Sequence, residues 1–378
     1  MAAAKRKKKT LLPYVILLAA ALTAGYLAYA FVYRGNTEPP VHFVATNKNA
    51  SVHSLQGMIS MLRRKEELVS FAFGGRMAET QYGTYIVPGM DYTRSITLEE
   101  PGIPAVCTSM TPQGLAVTEE YVLISAYCHA HKHNSVIYVI DKESHSLIKE
   151  IVLPGMPHVG GIAYDPEHQI LWYSSNEQGI AQAISIQMDA LRGYDYDQGH
   201  LPVVTSQVCS LYGIVRDSFM TFYEGSLYVG CFDRKNNSVI ARYPVDEEGN
   251  LITELRMDLT RKMAVPEDYS TISRRAQGMA FYHDKLLLSH SWGILPSSLV
   301  IYTQSNDRLY VNEYSAKQYR LPERLEQICV DGEDLYVLFE SAAYPYRMTS
   351  TMIVDRVLKL SLPKMLAFEE PGTVPRTK

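Results

Sequence analysis

The sequence predicts an all-β chain, a β-propeller of five four-stranded blades, preceded by one transmembrane helix. The first observation is a unit that repeats. Between Gln113 and Leu153, the runs QGLAVT, YVLISAYC, NSVIYVID and LIKEIVLP are rich in Val, Ile, Leu and Tyr and are separated by short polar turns, the pattern of an antiparallel meander. QGLAV at Gln113 is echoed by GGIAY at Gly160, SFMTF at Ser218, QGMAF at Gln277 and EQICV at Glu326, at successive offsets of 47, 58, 59 and 49 residues. Sheet units recurring at such a period bury their faces only by stacking in a ring.

The second observation is a longer internal match. Cys128 to Ile137 aligns without gaps on Cys231 to Ile240, sharing the cysteine and the Asn-Ser-Val-Ile that opens the next strand, and Ser297 to Val300 repeats the strand start without the cysteine. The third is composition. The 378 residues are 47% hydrophobic and 20% charged, with 27 tyrosines, which fits a large globular body weighted toward sheet.

In chain order, residues 1–10 are a basic tail containing Lys5 to Lys9. Residues 11–33 form an uninterrupted apolar run of 23 residues, which as a helix spans about 34 Å and is long enough for a bilayer core. The basic cluster precedes it and only Arg34 follows, so the body is placed outside the cell membrane by a single-pass signal anchor. A cleavable signal peptide with Ala28-Tyr29-Ala30 as its site exports the body equally. Residues 34–94 read as a stalk with a short amphipathic helix near 51–71, in which Ser51 or Ser54 caps Leu55, Met58, Met61, Leu62 and Leu68; docking on the propeller is its simplest role. Tyr85 to Val87 and Ser95 to Leu98 are strand-like. The propeller occupies 95–363, with blades over 113–154, 160–209, 218–259, 277–321 and 326–362. Because the last unit is one strand short, a strand near Ser95 to Glu99 is expected to complete it and remove an open sheet edge. Six blades, using 71–101, is the alternative count, and 364–378 is a tail.

Apart from the N-terminal segment, the body keeps 30 of the 36 basic residues against 40 acidic ones, so nucleic acid is not an expected partner. Blade geometry sorts the loops into two faces. One receives acidic turns such as Glu119-Glu120 and Asp246 to Glu248. The other receives the openings of the innermost strands, including Gln113, Gln277 and Glu326, together with His129, His131, His158, Arg234, Arg275, His290, Trp292, Glu340 and Tyr344. These residues are the expected ligand-binding set, combining hydrogen-bonding groups, positive charge and stacking surface. The alternating His129, His131 and His133, extended to one side, are a low-ranking candidate for a rim metal; otherwise no cofactor is implied. Ser125, Ser174, Ser289 and Ser341 recur near the ends of second strands as structural groups. No G-x-S-x-G or P-loop is present. The near-equal separations of Cys107 from Cys128 and of Cys209 from Cys231 predict two disulfides, with Cys329 free and buried in an inner strand.

The segments PQGLAVTEEYVLISAYCHAHKHNSVIYVID, PHVGGIAYDP, SFMTFYEGSLYVG, AQGMAFY and LYVLFESAA resemble a group of exported, membrane-anchored β-propeller proteins of Gram-positive bacteria. That resemblance implies a tethered surface protein and no particular activity. In repeat layout the chain is also similar to glutaminyl cyclotransferases and gluconolactonase-like propellers, but the acidic residues of the former and the metal ligands of the latter have no matching positions here. The expected function is therefore an extracellular binding or scaffold module for a polar, anionic or saccharide ligand or a partner protein at the His/Arg/aromatic face. The alternative is an exported metal-dependent hydrolase, lyase or cyclase using the same face.

Overall fold

In the computed structural model, residues 12–32, 54–73, 84–100 and 102–368 are described. Five sheets form the ring. The first blade, from the axis outward, contains Met110–Val117, Tyr121–Cys128, Val136–Asp141 and Leu147–Val152. The second contains Ile162–Asp165, Ile170–Glu177, Ile180–Gln187 and Val208–Ser210. Phe219–Tyr223, Ser226–Gly230, Ser238–Pro244 and Asp268–Ile272 make the third. The fourth is built from Ala276–Tyr282, Lys285–His290, Ser297–Thr303 and Lys317–Leu321. The fifth has Leu325–Asp331, Asp334–Phe339 and Arg356–Ser361, completed from the other end of the chain by Thr84–Ile86.

Each interface between neighbouring blades has its own apolar core. In YVLISAYC, Val122 and Ile124 pack toward the fifth blade with Tyr336 and Leu338, whereas Leu123 packs toward the second with Leu171 and Tyr173. Successive strand side chains point to opposite faces, so a strand covered on both sides is apolar at every position. This is why the blades read as near-continuous apolar runs.

The inner strands meet more closely than side chains allow. A Cβ on Gly161 would lie 2.6 Å from the amide nitrogen of Met220 on the next inner strand, and one on Gly114 would lie 2.4 Å from Ser125 Oγ. With no Cβ there, Gly114 N donates to Ser125 Oγ at 2.8 Å, and that hydroxyl donates to Val159 O, at the start of the next blade, at 2.7 Å. Ser174 Oγ accepts from Gly161 N at 3.0 Å, and Ser289 Oγ donates to Glu326 O at 2.8 Å. Three of the four recurring serines thus fasten an inner strand to its surroundings; Ser341 instead accepts from Val354 N, at 2.9 Å.

Two expectations about the ring change, and the expected count of five holds. The closing strand is Thr84–Ile86, whose Tyr85 lies opposite Val357, and not residues 95–99. Tyr85 is buried, stacks on His145 at 4.2 Å and donates to Lys142 O at 3.0 Å, so it fits a site between the fifth and first blades that no residue of Ser95 to Leu98 occupies. Thr93–Ser95 instead pairs with Ala105–Cys107 in a small hairpin before the first blade. The fourth strand of blade three lies beyond 218–259, because the hairpin Thr253–Arg256 with Arg261–Ala264 is inserted ahead of it; its outer edge is then met in parallel by Leu309–Tyr310. The count is five and not six.

None of the five cysteines is in a disulfide, which overturns both expected bridges. The matched spacings conceal different topologies: Cys107 ends the small hairpin, whereas Cys209 sits on the outermost strand of blade two opposite Ala183, in a different sheet from the strand that Cys231 follows. Cys329 lies on an inner strand as expected but is half-buried.

The amphipathic segment forms two short helices, Leu55–Leu62 and Glu66–Phe73; Ser54 caps the first, its hydroxyl accepting from Gly57 N at 3.1 Å. Met58, Leu62, Leu68 and Phe71 dock on the fourth and fifth blades, where Phe71 meets Tyr319 edge-on at 5.4 Å. Another helix runs over Leu12–Val32, with side chains described over 15–28. Among the described residues, no helix is long and apolar enough to cross a membrane. Residues 34–53 and 74–83 of the expected stalk lie outside the described residues, and the expected tail is described only to 368, after the helix Leu362–Ala367.

Candidate functional site

The openings of all five inner strands, Gln113, Gly160, Ser218, Gln277 and Glu326, converge on a mouth of about 560 Å³. Small and amide side chains leave this space open where apolar ones would fill it. One residue further along the last inner strand, Gln327 closes the axis. Its Oε1 accepts from Leu115 N at 3.2 Å and Ile162 N at 3.0 Å, while its Nε2 donates to Ile162 O at 2.6 Å and Met220 O at 2.7 Å. One buried carboxamide therefore pairs with the inner strands of blades one, two and three, and the mouth is a cup and not a tunnel. A separate cavity of about 310 Å³, lined by Glu119, Tyr164, Tyr223 and Asp331, opens on the acidic face.

The floor of the cup carries charge. Glu326 and Glu340 are buried and hydrogen-bonded to each other; Gln277 Nε2 donates to Glu326 Oε1 at 3.3 Å and Gln113 Nε2 to Glu340 Oε2 at 2.9 Å. Burial first, then for Glu326 the neighbouring Glu340 carboxylate, pushes both carboxyls above their ordinary range, against the opposing pull of Arg324. Two carboxyls so placed titrate as a pair and share one proton. Arg324 Nη1 lies 3.6 Å from Glu340 Oε1, so one guanidinium balances the singly ionised pair. The same guanidinium stacks 3.9 Å over the Tyr346 ring and donates to Ser350 Oγ and Thr349 Oγ1, each at 3.1 Å. The Arg324 backbone is left-handed, at φ 63°, a strained conformation for an arginine.

The walls are aromatic. Trp292 and Phe232 stack at 6.0 Å, with Arg234 5.2 Å above the indole. Across from them Tyr127 packs on His158 at 4.3 Å and pairs its hydroxyl with His129 Nδ1 at 3.2 Å. Asp217 accepts from Ser175 N at 2.7 Å, and burial raises its carboxyl to about 8 against the pull of that hydrogen bond.

Of the expected residues, Gln113, His158, Gln277, Trp292, Glu326 and Glu340 line the cup. Arg234 reaches it as a rim group over Trp292, and His129 lies 5.7 Å from the Tyr346 ring. His131, Arg275, His290 and Tyr344 do not line it. Arg275 donates to Arg234 O at 3.3 Å, and His290 turns back to Arg274 O at 3.0 Å, its imidazole pushed toward the neutral form by burial. Tyr344 begins the single-turn helix Tyr344–Arg347, and it is Tyr346 that lines the mouth. The three histidines do not fan to one side either: His131 is left-handed at φ 53°, and the resulting turn sends His133 inward against Cys128. Tyr127, Arg216, Asp217, Phe232, Arg324 and Tyr346 are among the lining residues outside the expected set. Arg216 and Arg324 share one signal in the sequence, a basic charge two residues before a blade opening.

No protein-family model matches the chain, and no curated protein matches it in sequence. Solved structures give distant matches. The PQQ-bound aldose sugar dehydrogenase of Streptomyces coelicolor is 14% identical with a TM-score of 0.41, covering 73% of this chain and 99% of its own. The nidogen/laminin complex gives 13% identity and a TM-score of 0.35, covering 69% of this chain and 87% of that one. Both are β-propeller proteins. Kuenenia stuttgartiensis hydrazine synthase gives 11% and 0.34, over 64% of this chain, which spans only 56% of that one. Likeness at this level carries no chemistry from those proteins to this one.

Proposed function

We propose that this chain is a membrane-anchored extracellular binding module that takes a small polyhydroxylated ligand, a saccharide, into the cup of its five-bladed ring. The observation that carries this is the pairing of an aromatic wall, Trp292 on Phe232, with a floor of amides and two buried carboxyls hydrogen-bonded to each other. Stacking surface beside groups that both donate and accept hydrogen bonds suits a ring bearing hydroxyls. An anionic group is disfavoured on the floor, where the pair already carries charge, and is better matched by Arg216 and Arg234 near the rim. The anchor rests on the 23-residue apolar run of 11–33, which is longer than the stretch 15–28 whose side chains are described and in which no membrane-crossing length is found, and on the exposed Val15, Ile16, Leu17, Leu18 and Leu22 of its helix, which need a nonaqueous cover.

Trp172 is fully buried and Trp292 is 39% exposed, so tryptophan emission reports on the cup. Titration of the full chain in detergent with a panel of neutral and acidic saccharides is expected to change that emission, and Trp292→Ala should abolish both signal and binding measured by calorimetry. A panel that leaves emission and heat unchanged sinks the proposal. A catalytic reading of the same cup is favoured by one observation, the two buried carboxyls of Glu326 and Glu340 hydrogen-bonded to each other, since a carboxyl acid beside a carboxylate supplies both partners of general acid–base chemistry. Turnover of a bound saccharide that Glu326→Gln abolishes would distinguish it from binding alone.

A further inference from the structure

Away from the cup, the hairpin that precedes the first blade meets that blade at a buried cluster. We propose that Cys107, Cys128 and His133 hold a zinc ion that pins this hairpin to the blade. Cys107 ends the hairpin strand, Cys128 ends the second strand of the blade, and His133 closes the turn that follows. Their exposures are 0%, 2% and 7%. The turn is shaped for the purpose: His131 N donates to Cys128 O at 2.9 Å, and the left-handed His131 reverses the chain, so His133 Nδ1 comes within 3.5 Å of Cys128 Sγ. His129 N donates to Ser109 O at 3.0 Å, which clamps the residues after Cys107 against the same turn.

The three donor atoms lie within 4.8 Å of one another. The centre of such a triangle is at most about 2.8 Å from each corner, so an inward shift of about half an ångström per side chain reaches the bond lengths of zinc to sulfur and nitrogen. Ser109 Oγ lies 3.8 Å from Cys107 Sγ and 3.7 Å from Cys128 Sγ, an oxygen close to both sulfurs. Charge selects the metal. Two thiolates and a neutral imidazole balance a dication, whereas a monovalent ion would leave a net negative charge in a buried site. Binding exchanges the two thiol protons for the ion. The geometry is local and independent of the cup, so this inference stands or falls separately from the saccharide proposal.

The test is metal analysis of the full chain purified in detergent with reductant and without chelator. One zinc per chain is expected, with Cys107→Ser and Cys128→Ser each reducing it to background while Cys209→Ser retains it. Replacement by cobalt should give sulfur-to-metal charge-transfer absorption that Cys128→Ser removes. If a cysteine variant fails to fold, His133→Ala and the cobalt spectrum of the unmodified chain decide. Zinc retained in the Cys107 and Cys128 variants, a metal-free native chain with both thiols titratable after unfolding, or a Cys107–Cys128 disulfide in their place would each overturn the proposal.

Discussion

Gln327 ties the inner strands of three blades together at the axis. Its two acceptor bonds satisfy amides of two inner strands that have no water to turn to, and its two donor bonds satisfy carbonyls of two. Leaving buried groups unpaired costs about 1–3 kcal/mol each, so Gln327→Ala is expected to lower stability by about 3–5 kcal/mol, read as a shift in the urea midpoint. A shift below about 1 kcal/mol would mean that water replaces the carboxamide. Glu326 and Glu340 act in the opposite sense. Their carboxyls are raised in the folded chain, so between the ordinary glutamate range near pH 4.3 and those raised values the folded state binds more protons than the unfolded state. Linkage then requires stability to fall as pH rises through that window. Glu326→Gln removes one partner of the pair, and denaturation between about pH 5 and pH 8 should show a flatter pH profile than the unmodified chain. An unchanged slope would place the shared proton elsewhere.

At the scale of elements, the two docked helices are a structural part of the ring. Leu62 is fully buried against the fourth and fifth blades, and truncating such a side chain leaves a cavity worth about 2–5 kcal/mol. Leu62→Ala should therefore lower the thermal midpoint of the whole body, where an unattached stalk would leave it unmoved. This docking was legible from the 3.6-residue spacing of Leu55, Met58, Met61 and Leu62, and the blades were legible from their repeated openings and apolar runs. The closing strand was not. Ser95 to Leu98 has as strong a strand composition as Tyr85 to Val87, and what selects the latter is the slot that Tyr85 fills between Tyr336 and His145, a fit made by residues distant from it in the chain. Half of the expected binding residues line the cup because blade geometry fixes where inner strands open. Arg324 and Tyr346 fall outside the expected set because a left-handed residue and a single helical turn aim them inward, and neither conformation has a periodic signature.

For the molecule as a whole, the acidic turns and the cup lie on opposite faces of a closed disc; the acidic face has its own cavity of about 310 Å³ with Tyr223 stacked on Phe281, and the cup, at about 560 Å³, is the roomier of the two. If the helix over Leu12–Val32 anchors this disc outside the membrane, protease added to intact cells should remove the body and leave a small protected N-terminal fragment. Full protection of the body would reverse the proposed topology. The axis also sets an order of events. The carboxamide that bolts the centre comes from the last blade and reaches back 212 residues to Leu115, and the strand that closes the rim joins Thr84 to Leu358. Contacts spanning such separations form late. A chain emerging from the N-terminus can assemble single sheets as it appears, yet neither hub nor rim exists until its final blade has arrived. If the body is exported as proposed, it stays open and threadable until that last blade has arrived, and locks only then.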